Sequence, residues 1–438
     1  MTIQRSLAEY RSQLSQPADS VIQNWLLVAL PTAAALSNIN FRAAALAVSL
    51  IGAASLVTGY RAADGVRLTV ASLILPVGGL AIAMRPNPPD TAVAGVFYAV
   101  VCCVMALVVS QSHSRASAVV SLVDGVGLLL VAAVGLRFAG FGATNAPAIM
   151  GNFLTGGERV MFPLVGALTS GPTLAAAFLV AAIPIIGRTS RYRVYRLIAA
   201  VAAVYVLVQG DRRSALFSAI VILALATLTP RLLRRVAPWA IGFLLTSPFI
   251  VKLTGDAARQ LSLWQQFQRV GEQNSESLTV RLQIWSRSID FYQDINDWYH
   301  QTFGFGTSGQ FVSGASMTYR SFFAGSSNSS SKSPHNSVLQ ALFDGGWIAA
   351  SGFVITVVCL AYVISRRNST IDTASLSMLS LMAIVGSTEA VLAPGYPQPV
   401  WFIVVALGLI GFAQESSGTT ALETTALRRH STAACGHR

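Results

Sequence analysis

Long apolar runs recur along almost the whole chain, and they constrain its fold more than any other feature. An α-helix needs about 20 mostly apolar residues to cross the hydrocarbon core of a bilayer. Hydrophobic residues make up 53% of the chain and charged residues 11%, whereas soluble domains carry roughly 25% charged residues. The sequence therefore predicts an all-α polytopic membrane protein.

Twelve runs have this length, and each is predicted to cross the membrane once. Gly171-Pro172 and Pro184 interrupt the sixth run, which either kinks there or divides into a re-entrant piece and a span. The runs lie near residues 22–38, 42–59, 67–84, 91–110, 116–137, 160–187, 194–209, 214–230, 236–254, 336–364, 372–390 and 398–414.

Arginines are distributed unevenly among the segments that connect these spans. If the N-terminus is cytoplasmic, the arginine-rich segments 188–196 and 231–235 are also cytoplasmic, as the positive-inside rule requires. This rule accounts for the net charge of +12 without a nucleic-acid partner. The predicted organisation is a cytoplasmic N-terminal tail (1–21), nine spans (22–254), a large external loop (255–335), three spans (336–414) and a cytoplasmic C-terminal tail (415–438).

The external loop is the only long, mostly polar segment, and part of it has a helical pattern. Apolar residues recur there at spacings of four and three, as on one face of a helix: Leu278, Leu282, Trp285, Ile289 and Tyr292. A shorter piece near residues 261–267 is similar. Such short amphipathic helices are expected at the interface of the outer leaflet, where Trp and Tyr are favoured.

His335 stands at the external mouth of the tenth span. Pro334 fits a helix start, and Asn336 and Ser337 can cap it. The N-terminus of a helix favours anions and tends to keep a nearby imidazole neutral, which leaves it available as a base. The alternative is a surface histidine in a loop. His300 lies in the same loop without a comparable context and is interpreted as structural.

Three arginines on the external side are candidate anion ligands. Arg212 and Arg213 begin the eighth span against the positive-inside trend, so they either bind a charged group or extend to the lipid headgroups. Arg281 lies on the amphipathic helix, where an exposed charge needs no special function.

Acidic residues within the spans are few, and charges at such depth are functional candidates by default. Glu389 lies near the external end of the eleventh span, on the same side as His335. Asp124 is expected to pair locally, and Asp344 either orients a partner or lies on a helix surface. The sequence lacks metal-ligand spacing and a phosphate-binding glycine loop. We therefore expect no metal, no cofactor and no nucleotide-driven pump.

Three motifs, taken in order, resemble the O-antigen ligase and polymerase superfamily. Arg213-Ser214-Ala215-Leu216-Phe217 resembles its arginine-containing element at the head of a span, and we favour Arg213 over Arg212 as the family arginine. Arg281 with Trp285, followed by Gly304-Phe305-Gly306, resembles its Arg-x-x-x-Trp helix and Gly-x-Gly. Pro334-His335-Asn336-Ser337-Val338-Leu339 resembles its His-Asn-x-x-Leu element. The resemblance covers about residues 140–415.

The resemblance implies a GT-C-like membrane glycosyltransferase in the bacterial inner membrane, with its active site on the periplasmic side. Such proteins transfer a glycan from undecaprenyl pyrophosphate, or a similar polyprenyl carrier, to an acceptor hydroxyl without metal or cofactor. It implies His335 as general base, Arg213 and Arg281 as catalytic phosphate ligands, and Arg212, Asn336 and Glu389 as further substrate-binding residues.

Three functions are consistent with these residues and with the resemblance. The narrowly favoured one is a polymerase of exopolysaccharide repeat units, and the second is ligation of a finished glycan to a lipid or protein acceptor. The third is a flippase for lipid-linked glycans, which is expected to place arginines and acids around a central cavity at mid-membrane depth. The partners expected are the lipid-linked donor, the glycan or lipid acceptor, the bilayer, and chain-length regulator or export proteins.

Overall fold

The computed structural model describes residues 24–57, 89–112, 114–141, 160–165, 170–186, 192–210, 212–258, 278–322, 333–392 and 399–413. The regular secondary structure of this part of the chain consists of helices. They are α1 Trp25–Ala35, α2 Phe41–Val57, α3 Pro89–Ser110, α4 Arg115–Phe138, α5 Ser170–Ile186, α6 Arg193–Gly210, α7 Arg213–Leu228, α8 Pro230–Ala258, α9 Leu278–Gln293, α10 Trp298–Phe303, α11 Gly309–Val312, α12 Ala315–Thr318, α13 Ser337–Ser365, α14 Thr370–Thr388 and α15 Pro399–Ala413.

Five of these helices are long and apolar enough to cross a membrane, judged by length and composition: α4, α6, α8, α13 and α14. Shorter apolar helices occupy α1, α2, α3, α5, α7 and α15. The chain thus has the make-up of a helical membrane protein. The predicted span at 67–84, the amphipathic piece at 261–267 and both predicted tails lie outside the described residues.

The sixth apolar run is divided rather than continuous. Residues 160–165 are not helical, and the Val160 N–H donates to the Gln209 carbonyl at 3.1 Å. The helix α5 begins at Ser170, so Pro172 occupies its first turn, where a missing N–H breaks no helical hydrogen bond. Pro184 lies inside α5 near its end and does not terminate it.

The helix α14 lies at the centre of the bundle, where it packs against α5, α7, α8 and α13. Nearly all of its side chains are buried, and many of them are small. Small residues let the backbones of neighbouring helices approach closely when lipid supplies no hydrophobic driving force between them. The position of α14 matters because the residue that follows it is Glu389.

The helix α13 is broken at Gly345 and Gly346, whose backbone angles are not helical. Gly346 has a φ of +69°, and a Cβ there would meet the Thr302 carbonyl oxygen at 2.1 Å. Only glycine fits this contact, which seats the loop after α10 directly against the break. The break divides α13 into a fully buried 337–344 arm and a longer 347–365 arm.

The predicted amphipathic helix in the external loop is present as α9, but its environment differs from the expected one. Its apolar residues Trp285, Ile289 and Tyr292 are buried within the protein. The ring of Tyr292 packs edge-on against Phe343 and Trp347 of α13. The expectation that this stripe lies on the outer leaflet is therefore wrong, because α8, α12 and α13 supply its apolar partners.

A buried ion pair joins α4 to α6. Arg196 donates from Nε to Asp124 Oδ1 at 2.7 Å and from Nη2 to Oδ2 at 2.8 Å. The residues are separated by 72 positions, so Asp124 does not pair within its own helix. This bidentate geometry satisfies both carboxylate oxygens, and both side chains are almost completely inaccessible.

Candidate active site

Three helix ends meet at one end of the bundle, which we call the site end. Arg212 immediately precedes α7, Asn336 caps α13, and Glu389 immediately follows α14. The Asn336 amide donates to the Ser387 carbonyl at 2.7 Å, and the Ser337 hydroxyl donates to the Glu389 carbonyl at 2.7 Å. These contacts fix the start of α13 against the end of α14.

Four predicted site residues come together here, and we call them the Glu389 cluster. Arg281 Nη2 lies 2.8 Å and Arg212 Nη2 3.1 Å from Glu389 Oε1. His335 Nδ1 lies 3.0 Å from Oε2. Arg281 also donates from Nη1 to the Thr388 carbonyl at 2.9 Å. One carboxylate therefore orients two guanidinium groups and one imidazole.

The cluster combines a buried acid with a more accessible base. The Glu389 side chain is 4% exposed, whereas the His335 side chain is 22% exposed. Burial alone would raise the pKa of Glu389, but the charges of Arg212 and Arg281 and the hydrogen bond from His335 outweigh it and hold that pKa well below its usual range. Glu389 is thus an anion at any physiological pH.

Backbone geometry aims His335 at this carboxylate. Its φ is +49°, in the left-handed region, where histidine is enriched among the non-glycine residues. The next residue, Asn336, is the N-cap that the sequence predicts, and its side-chain oxygen accepts from the N–H groups of Val338 and Leu339. His335 therefore lies outside the helix, one residue before the cap, and its left-handed backbone turns the side chain towards Glu389.

Arg281 is buried. The sequence also allowed an exposed charge on the helix face, and the structure does not show that arrangement. It lies in the first turn of α9, and its contacts reach 108 residues along the chain to Glu389. Its Nε is buried and has no hydrogen-bond partner within the described part of the chain. A buried N–H in this state favours an acceptor from a ligand.

Of the two adjacent arginines, the structure brings Arg212 to Glu389, whereas the sequence favoured Arg213. Arg213 is exposed, and so are Phe217 and Ile220, which follow it at helical spacing on one face of α7. Arg212 precedes the helix with an extended backbone. The small buried residues Ala215, Ser218 and Ala219 mark the packed face of α7, and that sequence signal favours Arg212.

The second histidine of the external loop lies apart from the cluster. His300 donates from Nδ1 to Asp297, which lowers the pKa of that carboxyl, and its ring stacks on Phe305 at 4.5 Å. The structural role of His300 stays a prediction.

Asp344 is neither on a helix surface nor in contact with the Glu389 cluster. It is fully buried at the break in α13, where it contacts Gln340, which in turn contacts Gln310. Neither glutamine was predicted from the sequence. Helical spacing places Gln340 one turn from Asp344, but no local pattern indicates the approach of Gln310.

Among the described residues, no group of three or more His, Cys, Asp or Glu side chains could hold a metal ion. The chemistry available to the cluster comes from two guanidinium groups, an imidazole and a carboxylate. Guanidinium groups bind phosphate or carboxylate oxygens with planar geometry, and an imidazole transfers protons near neutral pH. Comparison of the sequence with protein-family models and with curated proteins finds no match.

Proposed function

We propose that the chain is an integral membrane glycosyltransferase that polymerises the repeat units of a surface polysaccharide. The donor in this proposal is a glycan on a polyprenyl pyrophosphate, and the fold is a GT-C-like bundle of twelve spans. The site end faces the periplasm of a bacterial inner membrane. The observation that carries the proposal is the Glu389 cluster, in which Arg212, Arg281 and His335 share one buried carboxylate.

The charge of the cluster supports an anionic substrate. Two guanidinium groups and one imidazole contact the single carboxylate of Glu389, so the cluster is rich in basic groups. The buried Nε of Arg281 is a further donor without a partner in the described residues. A diphosphate supplies both the negative charge and the acceptor oxygens. The same donors stabilise the charge that develops on the leaving group.

Hydrogen bonding to Glu389 prepares His335 to act as a base. A carboxylate can only accept, so the short contact from Nδ1 assigns the ring proton to Nδ1 in the neutral imidazole. The lone pair is then on Nε2, as in a histidine oriented by a carboxylate in other acyl- or group-transfer sites. A base of this kind contributes roughly 10²–10⁴-fold to a rate.

Helix lengths support a cluster at the level of the lipid headgroups. The 347–365 arm of α13 and the 19 residues of α14 are joined by a short turn at residues 366–369. Each is about 28 Å long at 1.5 Å per residue, close to the thickness of the hydrocarbon core. In this proposal Trp347 and Glu389 lie at similar depths, near the plane where the pyrophosphate of a lipid carrier resides.

The reaction follows as a single displacement. The oxygen of an acceptor hydroxyl attacks the anomeric carbon, and its proton passes to Nε2 of His335. The bond between that carbon and the diphosphate oxygen breaks, and the electron pair leaves with the lipid diphosphate bound to Arg212 and Arg281. The configuration at the anomeric carbon is inverted. No nucleotide is consumed.

The decisive experiment uses purified protein in nanodiscs with a polyprenyl-pyrophosphate oligosaccharide, without nucleotide or divalent metal. A ladder of products supports the polymerase. Transfer only after addition of a separate lipid or protein acceptor assigns the ligase reaction instead. Movement of the donor across a vesicle membrane without any transfer overturns the enzymatic proposal and favours the flippase. Addition of chain-length regulator or export proteins then tests whether partners set the product length.

The matched control is the other histidine of the external loop. His335→Asn retains a side chain that tolerates a left-handed backbone but removes the base, and it is expected to abolish the ladder. His300→Asn changes a histidine that pairs with Asp297 and is expected to leave the ladder intact. Equal loss of product in both variants would contradict the assignment of His335.

A further inference from the structure

Asp344 is a buried acid that the proposed transfer does not use. Its side chain is completely inaccessible, at the end of the 337–344 arm. Oδ1 accepts from the Gly309 N–H at 2.8 Å and from Gln340 Nε2 at 2.8 Å. Both donors are neutral. A buried carboxylate without a cation is strongly disfavoured and normally becomes neutral.

Two buried acceptors lack a donor among the described residues, and a bound proton would supply one. Asp344 Oδ2 and Gln340 Oε1 are both buried, and neither has a hydrogen-bond donor in the described part of the chain. An ionised carboxylate and an amide oxygen cannot satisfy each other, because both only accept. A proton on Oδ2 converts one of the two acceptors into a donor.

The Gln340 amide lies beside the acid, with one of its hydrogens on Asp344 Oδ1. Gln340 Nε2 donates one hydrogen to Asp344 Oδ1, and its other hydrogen faces Gln310 Oε1 at 2.6 Å. Both amide hydrogens are therefore used. Only Oε1 of this amide remains to accept.

We propose that Asp344 carries a bound proton on Oδ2 and donates it to Gln340 Oε1. The acid and the amide then form a closed pair in which each side chain both donates and accepts. This is a buried proton site outside the Glu389 cluster, and it rests on no step of the proposed transfer reaction.

Backbone hydrogen bonds beside this pair connect the loop after α10 to α13. The Phe305 and Gly306 N–H groups donate to the carbonyls of Phe343 and Asp344 at 2.8 and 2.9 Å. Together with Gly309 they tie the loop after α10 to the 337–344 arm, which begins beside His335. The side chain of Asp344 takes part in this connection through the Gly309 N–H. On the elements packed nearby, Lys252 pairs with Asp290 and His300 with Asp297, whereas Arg287 donates to the Thr318 carbonyl and Arg281 contacts Glu389.

Infrared difference spectroscopy tests the protonation directly, with the full chain in nanodiscs at neutral pH. The spectrum of the wild type minus that of Asp344→Asn is expected to show the carbonyl band of a protonated carboxyl group and no carboxylate band. Loss of a carboxylate band in the variant would show an ionised Asp344 and overturn the proposal. This readout needs no enzymatic activity, so failure of the proposed function leaves it interpretable.

Substitutions provide a second measurement. Asp344→Asn keeps a neutral group that can accept at one atom and donate at the other, so its melting temperature is expected to stay close to that of the wild type. Asp344→Leu leaves the Gly309 N–H and the Gln340 amide without a partner, and a clearly lower melting temperature is expected. Equal loss in both variants contradicts the proposal. So does a wild-type melting temperature that rises with NaCl but not with choline chloride, because a metal cation would then occupy the site.

Discussion

Two groups of buried charge differ in composition, and the difference separates structure from function. The Asp124–Arg196 pair matches one acid with one base, and its two hydrogen bonds satisfy both carboxylate oxygens. The Glu389 cluster places three basic side chains on one acid and leaves the Arg281 Nε without a partner in the described residues. The first arrangement is complete without a ligand. The second gathers three basic groups and leaves a buried donor available among the described residues, which is typical of an anion site.

The largest expected effect is on catalysis by the cluster. His335→Asn is expected to lower the rate of glycan transfer by about 10²–10⁴-fold, because the base is removed while the backbone conformation is retained. Transfer is measured in nanodiscs with wild-type and variant protein at equal folded concentration. A variant that retains more than a tenth of the wild-type rate contradicts the base assignment.

The next effect is on the stability that the Asp124–Arg196 ion pair contributes. Asp124→Asn leaves the buried guanidinium of Arg196 uncompensated, and we expect the free energy of unfolding to fall by about 3–5 kcal/mol. The double variant Asp124→Leu with Arg196→Met replaces both charges by apolar groups and is expected to recover most of that loss. Unfolding in SDS measures both.

Activity of the same double variant sharpens the comparison. Per folded molecule, it is expected to transfer glycan at the wild-type rate, since Arg196 lies near the start of α6 and Arg212 lies two residues beyond the other end of that helix. A double variant that folds but does not transfer glycan would assign the pair a functional role and remove the distinction between the two groups.

A smaller effect distinguishes the adjacent arginines. Arg212→Gln is expected to lower the transfer rate by about 10²-fold, since it removes a donor at the developing charge. Arg213→Gln changes an exposed side chain, for which effects within about 0.5 kcal/mol are usual. Rates of the two variants, measured side by side, decide between the sequence-based choice and the structural one. A larger loss in Arg213→Gln would favour the former.

The smallest effect is the pH dependence that Glu389 contributes to stability. Its pKa is lower in the folded protein than in the unfolded chain, so the unfolded state binds more protons as the pH falls. The contribution is fully present above the ordinary value of 4.5 and is lost as the pH falls below it. Its slope is at most about 1.4 kcal/mol per pH unit. Unfolding of wild type and Glu389→Gln at several pH values isolates it, and identical slopes would contradict the cluster.

Local patterns predicted most of the helices because helix formation is a local property. The 4-3-4-3 spacing in the external loop predicted α9, and the Asn336 cap predicted the start of α13. The predicted environment of α9 was wrong, because periodicity reports that one face is apolar and does not report what covers it. The break at Gly346 also escaped the sequence analysis, since the reason for it is a contact with Thr302.

The candidate site was predicted as a set of residues but not as an arrangement. His335, Arg281 and Glu389 were each identified on the external side, yet their mutual contacts span 54 and 108 residues. The choice between Arg212 and Arg213 depended on the phase of α7, which the buried small residues on one face reveal only when the helix start is known.

The sequence by itself determined that this is a helical membrane protein, because lipid requires long apolar helices whose backbone hydrogen bonds are satisfied internally. It also determined which polar residues lie near helix ends. Tertiary structure alone decided that Glu389 holds three basic groups, that Arg196 neutralises Asp124 and that Asp344 accepts from the neutral Gly309 N–H and Gln340 amide. The physical reason is that the energy of a buried charge depends on the groups around it. The packing of helices that are distant in sequence determines which groups those are.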